Sequence, residues 1–161
     1  MNNPSIILCD IISTEMEIDP SRVVISNQNW KSPKDDDLYV VVSESTSKVI
    51  GSNIRFDSDN DKEIKTLSIS ATYNVEITSK NTDAKTRKEE IVAALTSGYS
   101  QTQQEDNQIR IFRTSQILNL SFIDGRSSLN RYQIPVVINY VRKYEKSITP
   151  LDKFQANNIL I

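Results

Sequence analysis

The clearest regularity in the chain is a strict alternation. Leu67, Ile69, Ala71, Tyr73, Val75 and Ile77 are interleaved with Ser68, Ser70, Thr72, Asn74, Glu76 and Thr78. A period of two means one buried and one polar face, and it predicts a strand of roughly 35 Å at ~3.3 Å per residue. Its polar face of Ser and Thr is either wet or lies against another protein. A second alternation, Tyr132, Ile134, Val136, Ile138 and Tyr140, predicts a strand over 131–141, with Pro135 arguing for an edge strand or a bulge. Leu38–Val42 is a β-branched and aromatic run read as a strand, 43–47 is turn-like, and 48–54 continues or returns it. Arg22–Ser26 reads as a short edge strand. Ile109–Phe122 reads as another strand, with Asp124-Gly125 as the turn that follows.

Two segments carry helical spacing. Ile7, Leu8, Ile11 and Ile12 form one stripe, opened by Asn3 and Pro4 and ended by Asp19-Pro20. Ala84, Lys88, Ile91 and Leu95 share a face of the second, capped by Asn81 or Thr82 and terminated by Gly98. The Gln-rich stretch 100–107 reads as a loop. The expected fold is α+β: a mainly antiparallel sheet with two helices packed on one face and one long amphipathic strand. One domain is expected over 1–145, followed by a C-terminal extension over 146–161. The extension offers Leu151, Phe154, Ile159, Leu160 and Ile161 without a clean period, so it docks on its own domain or on a neighbour.

Composition changes the picture chiefly by exclusion. The 161 residues include no His, one Cys and three Gly. Without His there is no Ser-His-Asp or Cys-His arrangement and no imidazole ligand. Neither GxGxxG nor GxxxxGK occurs. A single Cys makes no internal disulfide, which suits a reducing cytoplasm, and no apolar run is long enough to span a bilayer. Cys9 lies beside the first helical stripe and reads as a small packed residue rather than a nucleophile. The N-terminus also lacks the flanks of a signal peptide.

Charge is uneven along the chain. Residues 1–63 hold six Lys/Arg and twelve Asp/Glu (net −6) and residues 64–161 hold thirteen and nine (net +4), which together give the overall −2. Such a split allows the acidic part of one copy to face the basic part of the next, a head-to-tail contact that closes into rings. The plainer alternative is that these charges solvate different loops.

Candidate chemistry is sparse. Asp57-Ser58-Asp59-Asn60-Asp61 opens like a calcium loop, but Lys62 stands where Gly is required and Ser68 where a bidentate Glu is required. A solvated hairpin turn is the better reading. Asp35, Asp36 and Asp37 are adjacent carboxylates in a polar loop, and Glu89 and Glu90 diverge on a helix. Lys80, Lys85, Arg87 and Lys88 cluster but are interleaved with acids, and the pI near 5.2 is unlike that of a DNA reader. No catalytic residue, metal or cofactor is expected.

Three segments carry a family likeness. Asn27–Val40, containing Trp30 and the acidic triplet, Ser79–Glu90, and Leu129-Asn130-Arg131-Tyr132 resemble small neck proteins of long-tailed bacteriophages, the tail terminator or neck terminator group. The likeness runs over about 20–145. It implies a sheet with helices on one side, assembled as a six-subunit ring that caps the tail tube at its set length and presents a surface to the head. The implied partners are further copies of the chain, the tail tube protein and a head-side connector or stopper protein. Genomic DNA would pass through the lumen without sequence-specific binding, and no membrane is involved. The implied location is the virion, assembled in the host cytoplasm. The expected partner surfaces are the loop 27–37 with Trp30, Asp35, Asp36 and Asp37, the segment Phe56–Glu63 with Asp57, Asp59 and Asp61, and the tail with Phe154, Ile159, Leu160 and Ile161. The rival readings are a head-completion or stopper protein, another tail-completion factor, a non-virion interaction domain and, most remotely, a hydrolase using carboxylates alone.

Overall fold

The computed structural model describes residues 3–26, 29–113, 116–124 and 127–148. In chain order the elements are α1 (Pro4–Glu15), a 3-10 turn (Pro20–Arg22), β1 (Val23–Ile25), β2 (Tyr39–Asp57), β3 (Lys62–Ser79), α2 (Asp83–Ala94), α3 (Gly98–Asn107), β4 (Ile109–Arg113), β5 (Leu118–Asn119), β6 (Phe122–Asp124) and β7 (Ser127–Ser147). The main sheet runs β1-β2-β3-β7-β4, with β5 and β6 pairing onto β7. All these pairings are antiparallel except β1 with β2, which is parallel.

The sheet is mainly antiparallel, as expected, with one parallel pair, and the expected fold is corrected in two respects. Among the described residues there are three α-helices rather than two, and three strands are long rather than one: β2, β3 and β7 hold 19, 18 and 21 residues. At ~3.3 Å per residue these strands reach roughly 60–70 Å. The additional helix, α3, occupies the Gln-rich stretch read as a loop. Tyr99 is the one large apolar residue in it, so no hydrophobic stripe announces it. Local hydrogen bonds hold it instead. Ser97 caps it by accepting from the Ser100 N–H at 3.0 Å, Ser100 Oγ donates to the Leu95 carbonyl, and Gln104 Oε1 accepts from the Ile111 N–H at 2.8 Å. Gly98 therefore begins α3 instead of ending α2.

The other boundaries follow from their caps. Asn3 Oδ1 accepts from the Ser5 N–H, and Pro4 opens α1. The helix stops at Glu15, short of Pro20, because Glu17 turns left-handed at φ 52° and the Ile18 N–H returns to the Ser13 carbonyl. Asp19 then caps the 3-10 turn. At α2 Asn81 Oδ1 accepts from the Asp83 N–H and Ser79 Oγ accepts from the Ala84 N–H. The expected strand 109–122 is broken into β4, β5 and the start of β6. The expected turn at Asp124-Gly125 falls partly outside the described residues. β7 is an interior strand between β3 and β4, which corrects the edge reading of Pro135. That proline lies between the stretch paired with β4 and the stretch paired with β5.

Register places the core on one face of the sheet. Val40 lies opposite Ile77 and Val42 opposite Val75. Across the next ladder Tyr73, Val75 and Ile77 lie opposite Val136, Ile134 and Tyr132. These side chains join Ile7, Leu8, Ile11 and Ile12 of α1 and Ala84, Ile91 and Ala94 of α2 in one buried cluster. The helices cover only the half of the sheet nearest β1. Beyond Val49 and Tyr140, β2, β3 and β7 continue as a three-stranded arm whose β2 side chains are exposed.

Substituting Ile138→Ala at the centre of the core should destabilise the protein by about 2–5 kcal/mol. Ile54→Ala on the arm should change the stability of a single, unassociated copy by no more than ~0.5 kcal/mol. Urea denaturation followed by circular dichroism checks both. A large loss from the arm variant would show that something covers that residue.

Candidate partner-binding surfaces

The acidic loop before β2 is bound into its own fold. Arg22 grips Asp35 with two bonds, Nη2 to Oδ2 at 2.6 Å and Nη1 to Oδ1 at 3.2 Å, and also reaches the Leu38 carbonyl and, at 3.8 Å, Asp37. Asp35 Oδ1 further accepts from the Asp37 N–H, an Asx turn that shapes the loop. The Asp36 carbonyl accepts from the Lys80 and Asn81 N–H groups, and the Lys80 ammonium lies 3.7 Å from the Asp36 carboxylate. Trp30 is half-buried, its ring 5.3 Å from that of Tyr39. The triplet thus ties the chain entering β2 to the chain leaving β3. Its carboxylates keep their outer faces in water.

Asp57, Asp59 and Asp61 form the hairpin at the far tip of the arm. Asp57 accepts from the Asp59 N–H and the Asn60 amide, and Asp61 is left-handed at φ 49°, closing the turn from β2 into β3. The Asp61 carbonyl also accepts from the Ile148 N–H, which fastens the end of β7 to the tip. No group of three or more metal-ligating side chains occurs among the described residues. The two acidic clusters do not come together. They sit at opposite ends of the long strands, roughly 60 Å apart along β2. Phe154, Ile159, Leu160 and Ile161 lie outside the described residues.

Electrostatics reinforce this division. The bond from Arg22 holds the Asp35 carboxyl below the usual carboxylate range, and the amide of Asn60 does the same for Asp57. Burial pushes the Cys9 thiol up to about 11, so it stays protonated and unreactive at neutral pH. Burial, with a 3.0 Å bond to Glu44, raises the Tyr73 phenol. That bond joins β2 to β3 within the covered half of the sheet.

Sequence reasoning missed the arm's apolar face. Val49, Ile54, Phe56 and Tyr144 are 57%, 60%, 55% and 55% exposed. The cross-strand rows Val49–Ile69–Tyr140, Ser52–Leu67–Arg142, Ile54–Lys65–Tyr144 and Phe56–Glu63–Lys146 put all four on the face that is buried further along. The signal was present in the continued alternation of Ile69, Leu67 and Lys65, outward of the residues that the helices cover.

The fold and these surfaces place the chain among small, mostly antiparallel α+β proteins that extend part of their sheet beyond the core. The pattern of the phage neck terminator proteins matches residues 6–161, and the chain belongs to that family of structural neck proteins. No curated protein matches the chain in sequence.

Because Arg22 lowers the folded-state pKa of Asp35, its stabilising contribution is present above the ordinary carboxylate range of about 3.9. That contribution disappears as the pH falls through the lowered value. NMR titration should therefore find the Asp35 carboxyl ionising at lower pH than a free aspartate. Arg22→Ala should restore an ordinary titration, and an unchanged curve would mean that the pair is not formed in solution.

Proposed function

We propose that this protein forms a ring on the end of the phage tail tube, with the six copies that its family likeness implies.

 The ring stops tube polymerisation at the set length and offers its upper surface to the head. What supports this reading is membership of the neck terminator family over residues 6–161, together with a sheet that runs far past its own core. A protein that ends a polymer must contact its own copies laterally, the tube protein below and a connector or stopper protein above. Extended strand surfaces and free sheet edges suit such contacts. Genomic DNA passes through the lumen, for which a weakly acidic lining that does not hold phosphate is appropriate. The acidic loop at 35–37 and the acidic arm tip at 57–61 stand at opposite ends of the strands, which suits binding two different partners. The ring assembles in the host cytoplasm and remains in the virion, and residues 146–161 act as an extension of the 1–145 domain that takes part in these contacts.

Electron microscopy of a lysate from the parent phage with this gene inactivated tests the reading. Over-long tubes without heads, beside separate filled heads, are the expected result. Tails of normal length beside unattached heads would assign a stopper or completion role instead. Intact infectious particles would overturn a role in the neck.

A further inference from the structure

We infer that the apolar face of the arm docks onto a second copy of this chain, on the outer surface of its helices α1 and α3. This rests on the ring reading above and names the surfaces by which neighbouring copies meet.

Val49, Ile54, Phe56 and Tyr144 are each more than half exposed and share one face of the arm. An apolar row of this kind on a β-ribbon marks an interaction surface. The same face carries Lys65, Arg142 and Lys146 against the single acid Glu63 in the rows described above, a net charge of +2 from three cations and one anion. Its partner should therefore be acidic with some apolar area.

Helices α1 and α3 present such a surface. Neither contains a Lys or Arg, and Asp10, Glu15, Glu105 and Asp106 are all exposed on them. Ile6 stands 53% exposed one turn before Asp10, supplying apolar area on the same side of α1. The Tyr99 hydroxyl donates to Asp10 Oδ2 at 2.6 Å, which joins the two helices into one surface.

Charge also selects among the ways two copies could meet. Pairing arm against arm sets Lys65, Arg142 and Lys146 against their own equivalents, and like charges in a contact oppose it. Arm against helices sets positive against negative. Because the two surfaces differ, the contact is heterologous and leaves each copy with one free surface of each kind, the arrangement that propagates around a ring.

The test uses full-length protein in a Cys9→Ala background, with Ile54→Cys on the arm of one preparation and Thr102→Cys on α3 of another. Each variant is first checked for native circular dichroism. The two are mixed with a short bismaleimide, and cross-linked species are separated by mass spectrometry. The expected result is a hetero-linked pair at least tenfold more abundant than either self-linked pair. Lys65→Glu with Lys146→Glu on the arm copy should abolish it, and Glu105→Lys with Asp106→Lys on the other copy should restore it.

Absence of the hetero-linked pair overturns the inference, as does a predominance of the arm-to-arm product. A hetero-linked pair that forms only after residues 149–161 are removed also overturns it, because the chain's own tail would then be the occupant. Failure here is separable from failure of the ring reading. Ring-sized species in sedimentation without the arm-to-helix link would keep the ring and reject this interface, whereas the lysate micrographs judge the ring's role independently.

Discussion

The structure depends on a mismatch of lengths. Eighteen consecutive positions of β3 pair with β7, from Lys62 opposite Ser147 to Ser79 opposite Asn130, and β2 runs alongside β3 from Tyr39 to Asp57. A 12-residue helix such as α1 or α2 spans ~18 Å, whereas these strands span roughly 60–70 Å. One layer of short helices therefore cannot cover the sheet. The half nearest β1 becomes a core, and the remainder stands as a ribbon held by its own ladders and by the bond from the Ile148 N–H to the Asp61 carbonyl. Everything distinctive about the surface, from the separation of the acidic clusters to the exposed apolar row, follows from that division.

How much of this was legible in the sequence depended on whether a strand kept its phase. The alternations Leu67–Ile77 and Tyr132–Tyr140 are unbroken, and both mark buried strands. β2 loses its phase twice. Irregularities between Glu44 and Thr46 and between Val49 and Gly51 each insert a residue, so the face occupied by Val40 and Val42 continues through Ser47 and Val49 and then through Ser52, Ile54 and Phe56. Each insertion swaps the inward parity, which makes a single 19-residue strand read as a strand, a turn and a fragment. Helix α3 was hidden for a different reason. Its stability rests on the Ser97 cap and on the Gln104 bond to β4, and neither produces a hydrophobic period.

The candidate surfaces divide along similar lines. Clustered acids are visible in any sequence, and both clusters drew attention for that reason. Whether such acids are free to meet a partner depends on distant residues: Arg22 lies 13 positions from Asp35, and Lys80 reaches back to Asp36 from the far end of β3. The apolar row on the arm was harder to see because Ile54, Phe56 and Tyr144 are ordinary core residues in composition. Only the extent of the helix layer shows that nothing in the described chain covers them. The uneven charge of the two parts of the chain retains its interest in this light, since the basic residues Lys65, Arg142 and Lys146 share the arm face while α1 and α3 carry acids alone.

The most direct measurement is a cryo-electron microscopy reconstruction of the neck of the intact virion, at a resolution that traces individual strands. The account predicts a closed ring of this chain at the head end of the tail tube, with the arm residues Val49–Phe56 packed against the helices of the adjacent copy. A neck without density for this chain, or a ring whose arms stand free of every neighbour, would contradict it.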